Sequence, residues 1–288
     1  MTTLLRADSG VRARTIVYWV TTAIIAFESA MGGIWDIMRI DYVKDVVETQ
    51  LHYPTYVAVI LGIAKIPGAA VLLVPRFPRL KEWVYAGVLF IYTGASISLA
   101  VDGDYAAAAG PLGFAAITCV SWVLRPESRR KVTFTWASSF EGNRLARYGF
   151  WTATGIVFFV LLTGGVADLI QRGGTTGGMV ELGYPTYFLP LLGTWKVLGA
   201  LTIVVPGYPR LKEWAYAGAF YDFGGAFASH IAFGSILSHK LWTSGFALCV
   251  LISWALRSKN RTLGPDDDAT AAFSLPLRIP ALSMPNRP

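Results

Sequence analysis

Long apolar stretches separated by short polar segments dominate the pattern of this chain. A bilayer core about 30 Å thick is crossed by a helix of about 20 mostly apolar residues, and eight stretches have that length and character. They lie near residues 18–38, 54–74, 82–101, 105–124, 148–170, 185–205, 213–233 and 240–257. The pattern therefore predicts an all-α polytopic membrane protein with eight transmembrane helices.

Basic residues are concentrated on one side of these spans. Lys and Arg are frequent in the N-terminal tail and after the second, fourth, sixth and eighth spans, whereas the opposite side carries few basic residues and several acidic ones. Because cytoplasmic loops are enriched in Lys and Arg, we expect a multi-pass protein of the cell membrane with both termini in the cytoplasm.

Composition agrees with this class and excludes others. Hydrophobic residues make up 54% of the 288 residues and charged residues only 15%, whereas a soluble chain carries roughly a quarter charged residues. The net charge of +7 is explained by the basic loops, so the expected partners are membrane lipids and no nucleic acid. Two cysteines cannot make a disulfide framework or a structural zinc site, and no metal site is predicted.

An internal repeat divides the chain into two halves. Leu51–Gly87 and Leu182–Gly218 align without gaps and are identical at more than half of their positions. Tyr-Pro-Thr-Tyr and Pro-Arg-Leu-Lys-Glu-Trp occur once in each segment. Because each half has an even number of spans, the repeats are parallel and related by a pseudo-two-fold axis along the membrane normal. We expect a pseudo-dimer within one chain, built as two parallel-repeat four-helix bundles.

The predicted boundaries follow from the repeat and from the loops. Residues 1–125 form the first four-helix repeat with a short cytoplasmic N-terminal tail, 126–147 form a basic cytoplasmic linker, and 148–261 form the second repeat. Residues 262–288 are polar and Pro-rich and cannot bury a core, so a disordered cytoplasmic tail is expected there.

Three connecting segments receive structural interpretations. Apolar residues at helical spacing in 39–51 predict a short helix on the membrane surface, whereas the Gly-rich stretch 173–178 predicts a flexible loop. In the repeated Pro-Arg-Leu-Lys-Glu-Trp sequence, proline breaks the helix, the basic residues hold the turn inside, the glutamate suits a helix N-terminus and the tryptophan suits the membrane interface.

Ionisable residues inside the predicted spans are the candidate functional groups, because each costs about 2.5–3.5 kcal/mol to insert. Lys65 and Lys196 lie near the middle of the second and sixth spans, Glu28 lies within the first and Asp222 within the seventh. We expect the pairs Lys65–Glu28 and Lys196–Asp222. These pairs either bind a ligand or a proton, or they only neutralise themselves and hold helices together.

Four further residues are candidates for ligand binding or a proton relay. Ser229 shares a helix face with Asp222, and His230 follows it near the outer end of the same span. Asp36 and Asp168 occupy equivalent positions behind Gly-Gly pairs at the outer ends of the first and fifth spans. They either face an outward cavity or are ordinary polar residues at a helix end.

The second half resembles the DoxX-like four-helix membrane proteins. The resemblance is carried by the Gly-x-x-Lys at 193–196, by the Pro-Arg-Leu-Lys-Glu-Trp sequence at 209–214 and by Asp222. The first half departs from it, with Ile91 and Leu99 at the positions of the Asp and of the following His. Some members of that family are small subunits of thiosulfate:quinone oxidoreductases or partners in thiol-redox complexes. The resemblance therefore implies a bacterial inner membrane and a redox partner protein.

The leading hypothesis is a non-catalytic subunit or binding module that holds a quinone or another lipophilic small molecule near Lys196 and Asp222. No tightly bound cofactor is expected, and a quinone is the one cofactor that the resemblance implies. The first alternative is a small-solute or proton-coupled transporter, and the second is a membrane enzyme that acts on a lipophilic substrate through His230 and Asp222. The chain contains no Cys-x-x-Cys, Gly-x-Gly-x-x-Gly or His-Glu-x-x-His, which disfavours an enzyme acting alone through a familiar cofactor.

Overall fold

The computed structural model describes residues 2–130, 142–172, 174–258 and 261–263. Within these ranges the chain is helical, with no strand, and contains eight helices of 17 residues or more. They are α1 (Thr2–Met38), α2 (Thr55–Leu73), α3 (Pro78–Val101), α4 (Tyr105–Leu124), α5 (Arg144–Leu169), α6 (Phe188–Val204), α7 (Pro209–Phe233) and α8 (Leu237–Ala255). Short helical segments are Asp41–Val43, Lys44–Gln50, Glu127–Arg130 and Gly174–Glu181.

Five helices among the described residues are long and apolar enough to cross a membrane. They are the Arg12–Met38 part of α1 together with α2, α3, α4 and α5. Helix α6 is also apolar but shorter, with 17 residues. The all-helical class and the membrane location predicted from the hydropathy pattern are therefore confirmed.

The turn between the second and third helices is built in the same way in both halves. Phe77 and Tyr208 adopt left-handed backbone conformations, and a proline follows at the first helical position, where its fixed φ suits a helix start. Lys81 donates from Nζ to carbonyl oxygens at the end of α2, including those of Val71 and Val74. Lys212 caps α6 equivalently. These bonds satisfy carbonyls that a helix end leaves without intrahelical partners.

Arg129 completes the capping of α2 and ties the segment after α4 to the first half. It is 8% exposed and donates to the carbonyl oxygens of Leu72 and Leu73 at 3.0 and 2.8 Å. In the second half, Nη1 of Arg261 donates to the carbonyl oxygen of Ile203 at 3.2 Å. The structural repeat therefore includes these two arginines.

Two predicted segments lie largely outside the described residues. Residues 131–141, within the predicted linker 126–147, are outside them. Of the tail predicted at 262–288, only Thr262 and Leu263 are described, and both are buried.

The connection after α1 is helical, as the pattern of 39–51 predicts. Asp41–Val43 forms a turn of α-helix, and Lys44–Gln50 continues it with π-helical hydrogen bonding. Arg39 donates from Nε and Nη2 to the two carboxylate oxygens of Glu48, both at 2.7 Å. These charge-assisted bonds hold the pKa of Glu48 below its ordinary value.

The flexible loop predicted at 173–178 is wrong from Gly174 onward. Gly174–Glu181 forms a two-turn helix that packs against the end of α5. The Thr176 hydroxyl donates to the carbonyl oxygen of Ala167 in α5 at 3.4 Å. The glycines lower helix propensity, but this contact with α5 stabilises the segment in spite of them.

A hydroxyl network joins α1, α3 and α4 inside the first half. Ser121 bonds to the Thr22 hydroxyl at 2.7 Å and to the Tyr85 hydroxyl at 2.8 Å, and all three side chains are buried. The second half repeats both distances through Ser253, Thr154 and Tyr216. The two four-helix units therefore contain the same buried hydroxyl network at equivalent positions.

Two buried glutamates join the halves at one end of the molecule, which we call the tryptophan end because it contains Trp83, Trp122, Trp214 and Trp254. Glu82 receives Arg125 Nη2 at 2.5 Å and Trp122 Nε1 at 2.8 Å from its own half. It also receives Trp214 Nε1 from the other half at 2.9 Å. Its side chain is 2% exposed.

Glu213 has the equivalent set of donors. Arg257 Nη2 and Trp254 Nε1 of its own half lie at 2.8 and 2.7 Å, and Trp83 Nε1 of the other half lies at 3.1 Å. The repeated Lys-Glu-Trp sequence is therefore structural, as expected, but for a different reason. Its glutamate accepts from arginine and tryptophan in the core, and its tryptophan crosses to the other half.

The opposite end, which we call the tyrosine end, contains the two Tyr-Pro-Thr-Tyr sequences. The Tyr56 hydroxyl donates to the carbonyl oxygen of Leu182 at 2.6 Å, and the Tyr187 hydroxyl donates to that of Leu51 at 2.8 Å. Both bonds cross between the halves. Between the two ends, α3 packs on α7, and a Cβ on Gly87 would lie 2.9 Å from the Tyr221 ring.

We expect Glu213→Gln to destabilise the protein more than Trp83→Phe. The first change leaves Arg257 buried without a counter-charge, which costs about 3–5 kcal/mol. The second removes one hydrogen bond to a charged acceptor, worth about 1.5–3 kcal/mol, and keeps most of the ring packing. Thermal unfolding of detergent-purified variants measures both changes.

The control is Lys44→Gln, which removes the exposed Lys44–Asp41 pair and should leave the melting temperature unchanged, because exposed pairs contribute little. A melting temperature for Glu213→Gln equal to that of the control would contradict the assigned role of the buried carboxylate.

Candidate functional site

Lys65 forms an ion pair in the interior of the first half. It lies near the middle of α2, about 15 Å along the axis from the start of that helix at 1.5 Å per residue. Its Nζ donates to Asp36 Oδ2 of α1 at 2.8 Å. The lysine and aspartate side chains are 13% and 12% exposed, so the ion pair is largely buried.

A close crossing of two glycines positions this pair. A Cβ on Gly62 would lie 2.5 Å from the carbonyl oxygen of Gly33 and 3.0 Å from Asp36 Cβ. The backbones of α1 and α2 therefore touch here, as small residues permit. Asp36 and Lys65 each follow their contact glycine by three residues. Since a helical side chain leans toward the N-terminus of its helix, Lys65 extends toward Asp36.

The second half repeats this arrangement. Lys196 Nζ donates to Asp168 Oδ2 at 2.9 Å, and the Asp168 side chain is 0% exposed. A Cβ on Gly193 would lie 2.7 Å from the carbonyl oxygen of Gly165. The Lys–Asp pair is therefore common to both halves.

The predicted Lys65–Glu28 pair is wrong, because Lys65 bonds to Asp36. Glu28 still lies close by: a Cβ on Gly32 would be 3.0 Å from Glu28 Oε1 and 3.7 Å from Lys65 Nζ. Glu28 Oε2 is buried and has no hydrogen-bond partner within the described ranges. Glu28 is thus a third ionisable group beside a completed ion pair.

The predicted Lys196–Asp222 pair is present, at 3.5 Å between Nζ and Oδ1, but Asp168 is the closer partner. Asp222 reaches the lysine from α7, with its side chain 13% exposed. The other carboxylate oxygen of the Lys196–Asp168 pair, Asp168 Oδ1, is buried and has no hydrogen-bond partner in the described part of the chain.

Each half therefore contains one ammonium and two carboxyl groups. We call Lys65, Asp36 and Glu28 the first triad and Lys196, Asp168 and Asp222 the second triad. The Lys–Asp pair occupies equivalent positions, whereas the third acid comes from α1 in the first half and from α7 in the second. Val160 stands at the second-half position of Glu28, and Ile91 at the first-half position of Asp222. With all groups ionised, each triad carries one net negative charge.

Open space lies beside the second triad. Gly199 follows Lys196 by three residues and Gly225 follows Asp222 by three, so each glycine shares a helix face with its charged residue. A Cβ on either glycine, or on Gly224, would meet nothing within 4 Å. The surfaces of α6 and α7 next to the second triad are therefore unfilled.

Ser229 and His230 do not extend the second triad. Ser229 bonds to the Tyr184 hydroxyl at 2.8 Å and donates to the Gly225 carbonyl oxygen at 2.8 Å. His230 lies about 12 Å along α7 from Asp222 at 1.5 Å per residue. Its Nδ1 is 2.9 Å from Ser235 Oγ. Asp222 and His230 therefore do not contact each other directly, as a proton relay between them would require.

No group of three or more metal-ligating side chains occurs within the residues that the structure describes. The groups that sequence reasoning misplaced are Asp36 and Asp168, which are partners of the buried lysines. The signal for them is the shared spacing, Gly-x-x-Asp on the first helix of each half and Gly-x-x-Lys on the second.

The duplicated site coincides with a duplicated family match. The model of the DoxX-like family matches residues 20–121 and again residues 152–255. The chain belongs to the DoxX-like family. Each match covers one four-helix half, so this DoxX-like protein is a tandem duplication, as the sequence repeat predicts. Comparison with curated proteins and with solved structures found no significant match.

We expect Gly193→Ala to destabilise this DoxX-like protein and to weaken the Lys196–Asp168 pair. The added methyl would lie 2.7 Å from the Gly165 carbonyl oxygen and 3.1 Å from Asp168 Cβ, so α5 and α6 must separate. Overpacking of this kind costs about 1–3 kcal/mol, measurable as a lower melting temperature in detergent.

Gly199→Ala on the same helix is the matched control. Its methyl would meet nothing within 4 Å, and alanine favours a helix over glycine by up to about 1 kcal/mol, so stability should be unchanged or higher. Equal melting temperatures for the two alanine variants would contradict the close crossing of α5 and α6.

Proposed function

We propose that this DoxX-like protein is a non-catalytic membrane subunit or binding module that holds a lipophilic small molecule of the quinone class beside the second triad, in support of a redox partner. The observation that carries the proposal is Lys196, which lies in a mainly apolar helix and contacts two carboxylates. An ammonium has three N–H donors, so one remains for a ligand carbonyl oxygen.

The surroundings of Lys196 and Asp222 favour the second half as the binding half. A Cβ on Gly199 would meet nothing within 4 Å, whereas a Cβ on the equivalent Gly68 would lie 3.5 Å from Val84 Cγ1; Gly225 and its equivalent Gly94 are both open. Ligand sites combine apolar walls with a few polar groups, and Asp222 supplies such a group in the second half. In the first half, Ile91 replaces Asp222, and the third acid, Glu28, lies on α1 instead. The ligand site is therefore assigned to α6 and α7.

The contacts between the halves disfavour transport by rocking of one half against the other. The Trp–Glu bonds join the halves at the tryptophan end, and the Tyr–carbonyl bonds join them at the tyrosine end. Alternating access between repeats would have to break both sets. An enzyme using His230 with Asp222 is also disfavoured, because the two residues are two turns apart along α7.

The ligand site is tested by titrating a short-chain, water-soluble quinone into purified protein and following tryptophan fluorescence. We expect Asp222→Asn and Gly225→Leu each to weaken binding at least about tenfold, which corresponds to 1.4 kcal/mol. The first change removes a charged partner of Lys196, and the second fills the open space. Mass spectrometry of co-purified lipids should show the same loss.

Equivalent changes in the first half serve as controls. Glu28→Gln and Gly94→Leu alter the first-half acid and the position that corresponds to Gly225, and they should leave quinone binding unchanged. Quinone binding that survives Asp222→Asn and Lys196→Met in folded protein would contradict the site, and no quinone binding by the wild type would contradict the function.

We also infer that all eight long helices cross the membrane, with the tryptophan end in the cytoplasm. Helices α6, α7 and α8 are repeat equivalents of α2, α3 and α4, which have the length and hydropathy of spans. The basic residues Arg76 and Arg130 support a cytoplasmic tryptophan end by the positive-inside rule.

The orientation is tested with single cysteines in a variant in which Cys119 and Cys249 are replaced by serine. A membrane-impermeant maleimide should label Asp45→Cys in intact cells, because Asp45 is exposed near the tyrosine end. It should label Arg76→Cys, which is exposed near the tryptophan end, only after permeabilisation. The reverse labelling pattern would show that the tryptophan end faces outward and would contradict the inferred orientation.

A further inference from the structure

The two triads have the same charge composition although they are built from different residues. The second half has Val160 at the position of Glu28, but it has Asp222 where the first half has Ile91. Each half therefore contains one lysine and two carboxyl groups. The glycine crossings position only the Lys–Asp pair, and the third acid comes from a different helix in each half. What the two halves share at this third position is therefore the carboxyl group and not its place in the packing.

Full ionisation of either triad would leave one net negative charge in the membrane interior. An uncompensated charge in the membrane interior is unfavourable, and neighbouring carboxylates disfavour joint ionisation. One bound proton per triad removes this net charge. The protonated carboxyl would also become a hydrogen-bond donor.

Unpartnered carboxylate oxygens mark where that proton can be held. Asp168 Oδ1 belongs to a side chain that is 0% exposed, and it has no hydrogen-bond partner in the described ranges. Glu28 Oε2 is buried and unpartnered in the same sense. By contrast, both carboxylate oxygens of Glu82 and of Glu213 accept hydrogen bonds from arginine and tryptophan side chains.

The other ionisable groups on the surrounding helices whose side chains the structure describes lie outside the triads. In the first half they are Arg12, Arg14, Arg79, Lys81 and Glu82. In the second half they are Arg144, Arg147, Arg210, Lys212, Glu213, His230, His239 and Lys240. Among the tyrosines, Tyr184 is bonded to Ser229 and Tyr92 is buried in the first-half core.

We propose that each triad binds one proton at neutral pH, so that the protein holds two protons inside the membrane, one in each half. The proton is shared by the two carboxyls of a triad and is not assigned to one residue, because interacting acids titrate together. This property goes beyond ligand binding and does not depend on it.

Infrared spectroscopy of the carboxyl C=O stretch tests this proposal directly. Purified protein at pH 7, without added quinone, should show the band of protonated carboxyls, with the shift expected on exchange into deuterium oxide. Asp222→Asn and Glu28→Gln should each remove half of the band, and the double variant should remove all of it. A melting temperature near that of the wild type confirms that each variant is folded.

An exchange of acids between helices supplies a sharper control. Glu28→Val removes the first-half acid, and adding Ile91→Asp gives the first half the arrangement of the second. We expect the single variant to lose half of the band and the double variant to regain it. A structural role for Glu28 in helix packing alone would not produce this rescue.

Three results would overturn the proposal. They are a wild-type spectrum without a protonated carboxyl at pH 7, a band that survives in the double variant Glu28→Gln/Asp222→Asn, and a band that appears only when sodium is removed. The last result would mean that a cation, and not a proton, balances the triads. Because the measurement needs no quinone, its outcome is separate from that of the quinone titration.

Discussion

The association of the two halves depends on a buried carboxylate that has donors from both. Glu82 and Glu213 each accept from an arginine and a tryptophan of their own half and from one tryptophan of the other. A buried charge is stable only when it is paired and hydrogen-bonded, so each half supplies one of the donors that the buried glutamate of the other half needs. The lysine caps, the start of the third helix of each half and the pseudo-two-fold axis all follow from one short sequence that occurs twice.

This constraint places the candidate chemistry inside each half and not between them. Tryptophan bonds fix one end of the interface and tyrosine bonds the other, and the four tyrosine hydroxyls of the Tyr-Pro-Thr-Tyr sequences all have partners. Away from that interface, the glycine crossings bring a lysine and an aspartate together in the membrane interior. The Lys–Asp pair is a structural element common to both halves, and the third acid is the variable group that distinguishes them.

Hydropathy was sufficient to predict the helical class and the internal repeat to predict the tandem organisation, while the Gly-x-x-Lys and Pro-Arg-Leu-Lys-Glu-Trp motifs indicated the family, because each depends on patterns along the chain. The predicted Lys196–Asp222 pair is present, but the closer partner of each lysine, an aspartate of the first helix of its half, was not predicted. Its depth in the span favours Glu28 as the partner of Lys65, but the helix crossing at Gly33 and Gly62 determines which acid meets this lysine. The contacts of Glu82 could not be inferred either, since its donors come from distant helices and from the other half.

The crossing tryptophans have a consequence for how the chain evolved its asymmetry. A single four-helix unit could complete its glutamate site only by pairing with an identical copy, and a symmetric pair must carry every substitution twice. Once two copies were joined in one polypeptide, one copy could keep its third acid on the first helix while the other kept it on the third. Fusion therefore allows the interiors of the two halves to differ in sequence, while the crossing tryptophans still require both halves to be present.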